Sequence, residues 1–391
     1  MQLSVIILNY NVRYFLELCV LSVDSALKNI DSEIIVVDNN SSDDSCEMIK
    51  RRFPNVRLIQ NDHNLGFPKG NNIGVAHANG DYICILNPDT VVAEDTFEKV
   101  LAFAKNTQNL GIIGVKLIDG AGNFLPESKR GIPTPWVAFT KVTSLYKLFP
   151  KSKLFNQYYA QHVSKDQTAE VEILVGAFMF MKKEVYNEVG GFDEDCFMYS
   201  DDIDLSYMVL QKGKKNYYFH ETSVIHYKGE STSKNAVYMK RFQEAMEFFY
   251  KKHFKVSFLF SAFMKIGIVF FSLIKRIQGR AKTKINPENY LLISASETLV
   301  EILSKLVQKK VNFLNWKEEK EVNLLSNSIR NGLQIILDNE FVSFKDCIKI
   351  QERYSKKNIV FRIIPKNTDF IIGSDSPNDK GEVVKIKLYF M

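Results

Sequence analysis

The first ninety residues alternate between short apolar runs and segments with helical spacing. Two runs of β-branched and apolar residues, 3–8 and 33–37, flank a segment whose apolar side chains recur every three or four residues. This pattern predicts a β-α-β unit, and apolar runs without polar alternation are typical of parallel strands buried on both faces. Further strands are predicted at 56–59 and 82–86, with a helix over 70–78 between them. We therefore expect an open, doubly wound α/β sheet that binds its ligand at the carboxyl ends of the strands.

The pattern changes beyond residue 130. Residues 131–170 are rich in aromatic and basic side chains and contain three prolines, which predicts an irregular connection. The α/β pattern returns at 171–181, and a strongly acidic segment follows at 193–204. From residue 290 a separate set of apolar runs predicts a small α/β domain. No phosphate-binding glycine motif follows its first run, so the sequence leaves the role of this domain open.

Composition excludes several classes of protein. The chain has 391 residues, 46% of them hydrophobic and 25% charged, with 10 Pro and 19 Gly, as in folded globular proteins rather than disordered or collagenous ones. Its five cysteines are widely spaced and form no CxxC pair, which argues against a disulfide framework or a zinc knuckle and indicates reduced thiols. No secretory signal is visible at the start, so we expect function on the cytoplasmic side.

The net charge of +6 is concentrated in one segment. Residues 251–284 contain nine Lys and Arg side chains and no acidic one, so the rest of the chain is slightly acidic. Residues 256–274 are mostly apolar, and at about 100° per residue the serines and Lys265 fall on one narrow stripe opposite a wide apolar face. This predicts an amphipathic helix lying on an anionic membrane surface.

The basic segment has three alternative interpretations. A membrane-spanning helix has nearly the required length, but Lys265 at its centre is costly in a bilayer. A helix packed on the rest of the protein stays open, although packing needs fewer flanking charges. Nucleic-acid binding is disfavoured, because the aromatic side chains form one continuous apolar face instead of separate stacking platforms.

Polar side chains cluster where the predicted strands end. Asp38 and Asn39 follow the second apolar run, where a carboxylate can accept hydrogen bonds from a base or a ribose, and a helix cap is the alternative. The Gly- and Asn-rich segment 64–74 opens a helix whose N–H groups, with Lys69, can face phosphate oxygens. The alternative there is a row of glycines that lets the helix pack closely.

Carboxylates and a histidine complete the set. Asp89 ends an Asn-Pro-Asp sequence after the strand at 82–86, where it either binds a divalent cation or only forms a turn. Asp201, Asp202 and Asp204 lie within four residues beside aromatic side chains, and such close like charges favour a functional site over a simple helix start. His226 follows an apolar run and can add a nitrogen ligand to a metal, although a lone histidine is more often structural.

Taken together and in order, these motifs resemble those of family 2 glycosyltransferases, most closely the bacterial rhamnosyltransferase-like branch. The likeness covers about residues 1–250, and seven motifs in one order are far more specific than any one of them. The motifs are residues 4–11, 36–43, 64–74, 86–89, 190–194 and 199–205, and His226.

The resemblance implies a GT-A fold, with a Rossmann-like, mostly parallel open sheet, and inverting transfer of a sugar from a nucleotide sugar to a hydroxyl group. It implies that Asp202 is the catalytic base and that Asp89 and His226 hold a divalent cation, Mg²⁺ or Mn²⁺. The residues it implies for binding the nucleotide sugar are Leu8, Asn9, Tyr10, Asp38, Asn39, Lys69, Asn71, Asn87, Asp89, Gly176 and Asp201.

Three positions depart from the family pattern. Asn71 stands where many relatives carry an arginine that faces the phosphates, which leaves Lys69 as the nearer cation. Asn87 replaces the first carboxylate of the family's DxD motif, which weakens the expectation of tight metal binding. Asp201 replaces the usual glutamate of the ED pair and keeps the carboxylate.

We therefore expect three parts: a GT-A domain at 1–250, a basic amphipathic membrane-associating segment at 251–285, and a small α/β domain at 286–391. The leading hypothesis is an enzyme at the inner face of the cell membrane that uses a dTDP- or UDP-sugar, with rhamnose as the candidate sugar. Its acceptor is a glycan or lipid-linked glycan in cell-surface polysaccharide synthesis. The alternative is a non-catalytic or regulatory sugar-nucleotide-binding protein, and no nucleic-acid partner is expected.

Overall fold

A computed structural model describes residues 1–142, 145–148, 152, 154–228, 236–254, 286–318, 332–356, 358–376 and 380–386. These residues form two β-sheets with helices packed on them. The predicted membrane-associating segment, 251–285, lies outside the described residues except for its first four positions. In the described parts of the chain, every helix is too short or too polar to cross a bilayer.

The first sheet has nine strands in the order β3-β2-β1-β4-β8-β6-β9-β5, with β7 beside β9. The strands are β1 (Leu3–Asn9), β2 (Ser32–Asp38), β3 (Arg57–Gln60), β4 (Tyr82–Leu86), β5 (Thr90–Val91), β6 (Leu110–Ile118), β7 (Ala169–Val171), β8 (Phe178–Lys182) and β9 (Lys215–His226). Six of them, β1 to β4, β6 and β9, run in one direction, and β5, β7 and β8 run in the other. The expected open, mostly parallel sheet is confirmed.

Helices cover both faces of this sheet. They are α1 (Arg13–Leu27), α2 (Ser45–Arg52), α3 (Phe67–Ala76), α4 (Thr96–Lys105), α5 (Pro135–Val142), α6 (Leu145–Leu148), α7 (Lys183–Glu188), α8 (Asp201–Gln211) and α9 (Ala236–His253). Side chains of β1 alternate between two cores, since Val5 and Ile7 pack with α1, α2 and α4, whereas Ile6 and Leu8 pack with α3, α7 and α8. The segment 131–170 is less irregular than predicted, because α5 and α6 lie within it.

The second sheet has six strands in the order β11-β10-β12-β13-β14-β15. They are β10 (Asn289–Ser294), β11 (Val311–Asn315), β12 (Leu333–Asp338), β13 (Ile359–Ile364), β14 (Phe370–Gly373) and β15 (Glu382–Lys385), with α10 (Thr298–Val307) and α11 (Phe344–Arg353) between them. The first four strands are parallel and β14 is antiparallel to β13. This arrangement agrees with the predicted small α/β domain.

The second sheet packs directly on the first part of the chain. Ile225 and Tyr227, at the end of β9 and just after it, share one apolar core with Leu337 and Phe370. Val224 lies in the core on the other side of the first sheet. Because side chains alternate along a strand, His226 points away from the second sheet.

A charged contact joins the two parts close to this core. The Glu94 carboxylate accepts hydrogen bonds from the backbone N–H groups of Phe344 (2.7 Å) and Lys345 (2.8 Å), the first two residues of α11. The Lys345 ammonium in turn binds Asp95 at 2.6 Å. A carboxylate is stabilising at a helix N-terminus, where backbone N–H groups lack partners within the helix. Glu94 therefore ties the chain that follows β5 to the second sheet.

We expect Glu94→Ala to lower the free energy of unfolding by about 1–2 kcal/mol, because two helix N–H groups lose their acceptor. Urea denaturation of the full chain measures this change. Glu98→Ala, at an exposed position on α4, is the matched control and should change stability by less than about 0.5 kcal/mol. Equal losses in the two variants would show that the Glu94 contact contributes nothing of its own.

Candidate active site

The site lies at the carboxyl edge of the first sheet, where several chain segments converge. β4 ends at Leu86, and β8, which runs antiparallel to it, begins beside that end. The Asn87 N–H donates to the Ala177 carbonyl at 3.1 Å. At the neighbouring edge, Thr90 of β5 pairs with His226 at the end of β9. Strand pairing thus brings together residues that are up to 139 positions apart in the chain.

Asp89, Asn87 and His226 form one cluster at this edge. Asp89 Oδ1 lies 3.4 Å from His226 Nε2, and both side chains are buried. Asn87 Nδ2 lies 3.3 Å from the same His226 nitrogen. Asn87 Oδ1 and His226 Nδ1 are buried and have no hydrogen-bond partner in the part of the chain that the structure describes. The expectation that Asp89 and His226 share one site agrees with this geometry.

The cluster offers a small set of metal ligands. Within the described residues there is no group of three or more His, Cys, Asp and Glu side chains that could hold a metal ion. A carboxylate, an imidazole nitrogen and one buried amide oxygen are nevertheless the donor types that divalent cations accept. Asp89 and His226 could therefore serve as two ligands of a cation whose remaining ligands come from elsewhere, whereas Asn87 presents its Nδ2 to His226.

Asp202 lies at the start of α8, beside the loop before β8. Its Oδ2 accepts hydrogen bonds from the Gly176 backbone N–H (3.1 Å) and from Arg130 Nη2 (2.5 Å). Its Oδ1 is buried and finds no hydrogen-bond partner among the described residues. One oxygen is thus held by two donors, and the other has no hydrogen bond within the described part of the chain.

The other two carboxylates of the acidic segment lie in different surroundings. Burial, followed by the charge of Asp202, raises the pKa of Asp201 to about 7. Asp204 is bound by Lys252 Nζ (2.8 Å) and by His253, both in the last turn of α9. Asp204 therefore holds α9 against α8, whereas Asp202 binds Arg130 and the Gly176 N–H.

A second group of predicted residues forms a hydrogen-bonded network at the ends of β1 and β2. Asp38 is buried, its Oδ1 accepts from Asn9 Nδ2 at 2.7 Å, and its Oδ2 accepts from the Ser41 N–H at 2.8 Å. Asn39 donates to the Gly66 carbonyl at 3.1 Å and so joins this network to the start of α3. The helix-cap alternative for this segment rested on Ser42 or Asp43, and Asp43 Oδ1 does accept from the N–H of Ser45, the first residue of α2, at 3.1 Å. The Asp38 carboxylate binds Asn9 and the turn instead.

Lys69 and Asn71 have partners of their own. Lys69 Nζ lies 3.8 Å from Glu194 Oε2, and both side chains are about half exposed. Asn71 is fully buried, and its Nδ2 donates to the Phe67 carbonyl one turn earlier in α3. Lys69 is therefore paired with a carboxylate, and the Asn71 side-chain amide makes a hydrogen bond within its own helix, α3.

The glycines of α3 serve close packing. A Cβ atom at Gly70 would come within 2.4 Å of Leu8 Cδ1, and one at Gly74 within 2.5 Å of Ile6. Leu8 therefore packs under α3, and the packing alternative for these two glycines is supported. Tyr10, after the end of β1, is exposed.

Arg130 is the residue that sequence reasoning missed. It lies 72 positions from Asp202, between the short 3₁₀ helix Pro126–Ser128 and α5. Its backbone is fixed by two hydrogen bonds with Ile173, both of 2.9 Å. No motif or periodicity marks the segment around it, so the sequence held no signal for its partner.

Comparisons with known proteins find sequence relatives of the first part of the chain. Residues 4–190 match the model of Glycosyl transferase family 2. An N-acetylglucosaminyl-diphospho-decaprenol L-rhamnosyltransferase of Mycobacterium tuberculosis is 25% identical over 213 residues, which are 52% of this chain and 68% of that protein. The rhamnosyltransferase WbbL of Escherichia coli is 28% identical over 170 residues, which are 41% of this chain and 61% of that protein.

Solved structures also match. A mannosyltransferase from Pyrobaculum calidifontis in complex with GDP-Man and Mn²⁺ aligns with a TM-score of 0.47 and 15% identity, covering 72% of this chain and 76% of that one.

Proposed function

Because residues 4–190 are a family 2 glycosyltransferase domain, we propose that this glycosyltransferase acts by inversion, moving a sugar from a nucleotide sugar to a hydroxyl group of a lipid-linked glycan. The observation that carries the proposal is Asp202, whose buried Oδ1 has no partner among the described residues while its Oδ2 is held by Arg130 and Gly176. A general base needs such an oxygen within reach of the proton that it removes.

The chemistry follows from this arrangement. A sugar hydroxyl is a poor nucleophile at neutral pH, so Asp202 Oδ1 accepts its proton while the hydroxyl oxygen attacks the anomeric carbon. The new bond forms on the face opposite the leaving group, the bond from the anomeric carbon to the diphosphate oxygen breaks, and the configuration inverts. The products are the glycosylated acceptor, the nucleoside diphosphate and the proton held by Asp202.

Asp89, His226 and Asn87 are the residues that we propose hold a divalent cation, Mg²⁺ or Mn²⁺. Asp89 supplies a carboxylate oxygen, His226 a ring nitrogen and Asn87 its Oδ1, which has no partner among the residues that the structure describes. When bound, such a cation stabilises the charge that develops on the leaving diphosphate. Because the described residues provide few charged ligands, we infer that the diphosphate itself completes the coordination.

Donor and acceptor class are proposed from the relatives. The M. tuberculosis relative is named as a transferase of L-rhamnose to an N-acetylglucosaminyl-diphospho-decaprenol, and the E. coli relative is also named a rhamnosyltransferase. We propose a dTDP- or UDP-sugar as donor, with rhamnose as its sugar, and a lipid-linked glycan of a cell-surface polysaccharide as acceptor. Asn9, Asp38 and Asn39 are the network proposed to bind the nucleoside.

A non-catalytic sugar-nucleotide-binding protein is the second candidate, and Asn87 favours it because one carboxylate is missing from the metal site. The two candidates differ in one observable. An enzyme releases free nucleoside diphosphate when donor and acceptor are both present, whereas a binding protein shifts its melting temperature with the donor and releases nothing.

We expect Asp202→Asn to lower the turnover number by about 10²–10⁴-fold, because the amide cannot take a proton from the acceptor. Release of nucleoside diphosphate measures turnover, and donor-induced thermal shift checks that folding and donor binding persist. Asp195→Asn, at an exposed position in the same acidic segment, is the control and should keep normal turnover. Near-normal turnover of Asp202→Asn would rule out Asp202 as the base.

We expect Asn87→Asp to tighten Mn²⁺ binding by roughly tenfold and Asp89→Asn to weaken it by a similar factor, because each change alters the ligand charge by one unit. Isothermal titration of Mn²⁺, with and without nucleoside diphosphate, measures both effects without relying on activity. Wild-type protein should bind Mn²⁺ more tightly when the nucleoside diphosphate is present. Asn55→Asp, at an exposed position before β3, is the control, and equal affinity in all four proteins would exclude this site.

We propose that the basic segment 251–285 holds the enzyme on an anionic membrane. Replacing Lys275, Arg276 and Arg280 by Gln should weaken binding to phosphatidylglycerol vesicles on the order of 100-fold, at about 1 kcal/mol for each basic residue near the surface. Replacing Lys105, Lys309 and Lys310, which are exposed elsewhere, by Gln is the control. Wild-type protein that stays with the vesicles in high salt would instead favour a spanning segment, and equal binding to neutral vesicles would exclude the electrostatic contact.

A further inference from the structure

The Arg130 guanidinium is buried directly behind the proposed catalytic base. Its Nη2 donates to Asp202 Oδ2 at 2.5 Å and to the Leu174 carbonyl at 3.0 Å. The side chains of Arg130 and Asp202 are each only 11% exposed. Removing one partner of such a buried ion pair leaves an uncompensated charge in the protein interior. Asp202 therefore depends on Arg130 for its charge as well as for its orientation.

The contact also decides which oxygen of Asp202 is available. Two donors, Arg130 Nη2 and the Gly176 N–H, bind the same oxygen, Oδ2. A carboxylate held by two donors on one oxygen cannot turn without losing both. Oδ1 is thereby left as the oxygen with no hydrogen-bond partner among the described residues, and so as the one free to accept a proton.

The neighbouring charges make a cation at this position necessary. Asp201, adjacent in the chain, is buried, and burial followed by the Asp202 charge raises its pKa to about 7. Two close carboxylates cannot both ionise in a dry site unless a cation offsets one charge. Arg130 makes its ion pair with Asp202 and not with Asp201. The two carboxyls are thereby unequal: Asp202 has a cationic partner, and burial, followed by the charge of Asp202, raises the pKa of its neighbour Asp201.

The other groups around Arg130 do not replace it. Burial raises the pKa of Tyr158, which faces the guanidinium as a neutral phenol. Although burial opposes its ionisation, Glu127 has a lowered pKa because the Lys228 ammonium pairs with it. Arg130 is the cation that the structure places within hydrogen-bond distance of the Asp202 carboxylate.

We propose that Arg130 is a positioning residue that keeps Asp202 ionised and aims its Oδ1 at the acceptor hydroxyl. The proposal rests on the proposed function, because Asp202 is taken there as the general base. It adds a residue that the motifs of the sequence did not mark, and it assigns Arg130 a role that acts only through Asp202.

The first test is the pH dependence of turnover in Arg130→Gln. We expect turnover at pH 7 to fall about 100-fold, the pH of half-maximal turnover on the acidic side to rise, and the Michaelis constant for the donor to stay within about threefold. Arg57→Gln, which removes an exposed arginine bound to the His77 carbonyl, should leave the profile unchanged. A large fall in turnover with no shift along the pH axis would overturn the proposal.

A double-mutant cycle separates positioning from direct contact with substrate. If Arg130 acts only through Asp202, Arg130→Gln should cause no further loss in the Asp202→Asn background. Multiplying losses would mean that Arg130 touches a substrate itself, and the proposal would be wrong. Arg130→Lys keeps the positive charge but lacks the forked donor geometry of the guanidinium, so it should lose less turnover than Arg130→Gln. It replaces Arg130→Gln in these measurements if that variant folds poorly.

Thermal unfolding supplies a readout that does not need enzyme activity. Without Arg130 the two carboxyls bind protons more tightly in the folded than in the unfolded chain, so stability is lost as pH rises above the unfolded values near 4. Relative to wild type, Arg130→Gln should therefore lose more melting temperature at pH 8 than at pH 5, and adding Asp202→Asn should remove this difference. A loss that is independent of pH contradicts the proposal.

These readouts separate a failure of the proposed function from a failure of the role assigned to Arg130. If wild-type protein releases no nucleoside diphosphate with any donor and acceptor, the proposed function fails whatever Arg130 does. In that case the pH-dependent melting difference still reports whether Arg130 compensates the Asp202 charge. If wild type turns over normally and neither readout responds to Arg130→Gln, the proposal for Arg130 alone fails.

Discussion

The pairing of the two-residue strand β5 with the end of β9 is the contact on which both parts of the protein depend. It sets Thr90 opposite His226 and so brings Asp89 and the histidine into one cluster. The side chains that point the other way, among them Val91, Ile225 and Tyr227, enter the core that the second sheet completes. Because side chains alternate along a strand, one short ladder serves the site with one face and the domain contact with the other.

The three carboxylates at the start of α8 lie close together in the chain but have different surroundings. Asp204 binds Lys252 and His253 of α9 and so holds two helices together. Asp202 is paired with Arg130, and burial, followed by the charge of Asp202, raises the pKa of the neighbouring Asp201 to about 7. Carboxylates whose surroundings separate their proton affinities are the usual basis for acid and base roles in one site.

The fold was more predictable from the sequence than the site. Apolar runs located β1, β2, β4 and the core strands of the second sheet, because a strand buried on both faces has apolar side chains at consecutive positions. The rule that ligands lie at the carboxyl ends of strands correctly grouped Asp89 with His226. Arg130 escaped prediction because its partner is 72 positions away and nothing local in its segment records that contact. Lys69 was predicted from its place in the Gly- and Asn-rich segment that opens α3, whereas its pairing with Glu194 depends on a loop distant in the chain.

The second sheet is joined to the rest of the chain in a way that restricts independent motion. Its inward face shares an apolar core with α1 and β9, where Phe15 packs edge-on against Tyr227 and Tyr14 against Phe370. Separating the two parts would expose this core to water and leave Glu94 and the first N–H groups of α11 without each other. Domain motion is the default expectation only where the interface is small and polar. Glu94 lies five residues after Asp89, so the contact between Glu94 and α11 connects the second sheet through a short stretch of chain to the cluster of Asp89 and His226.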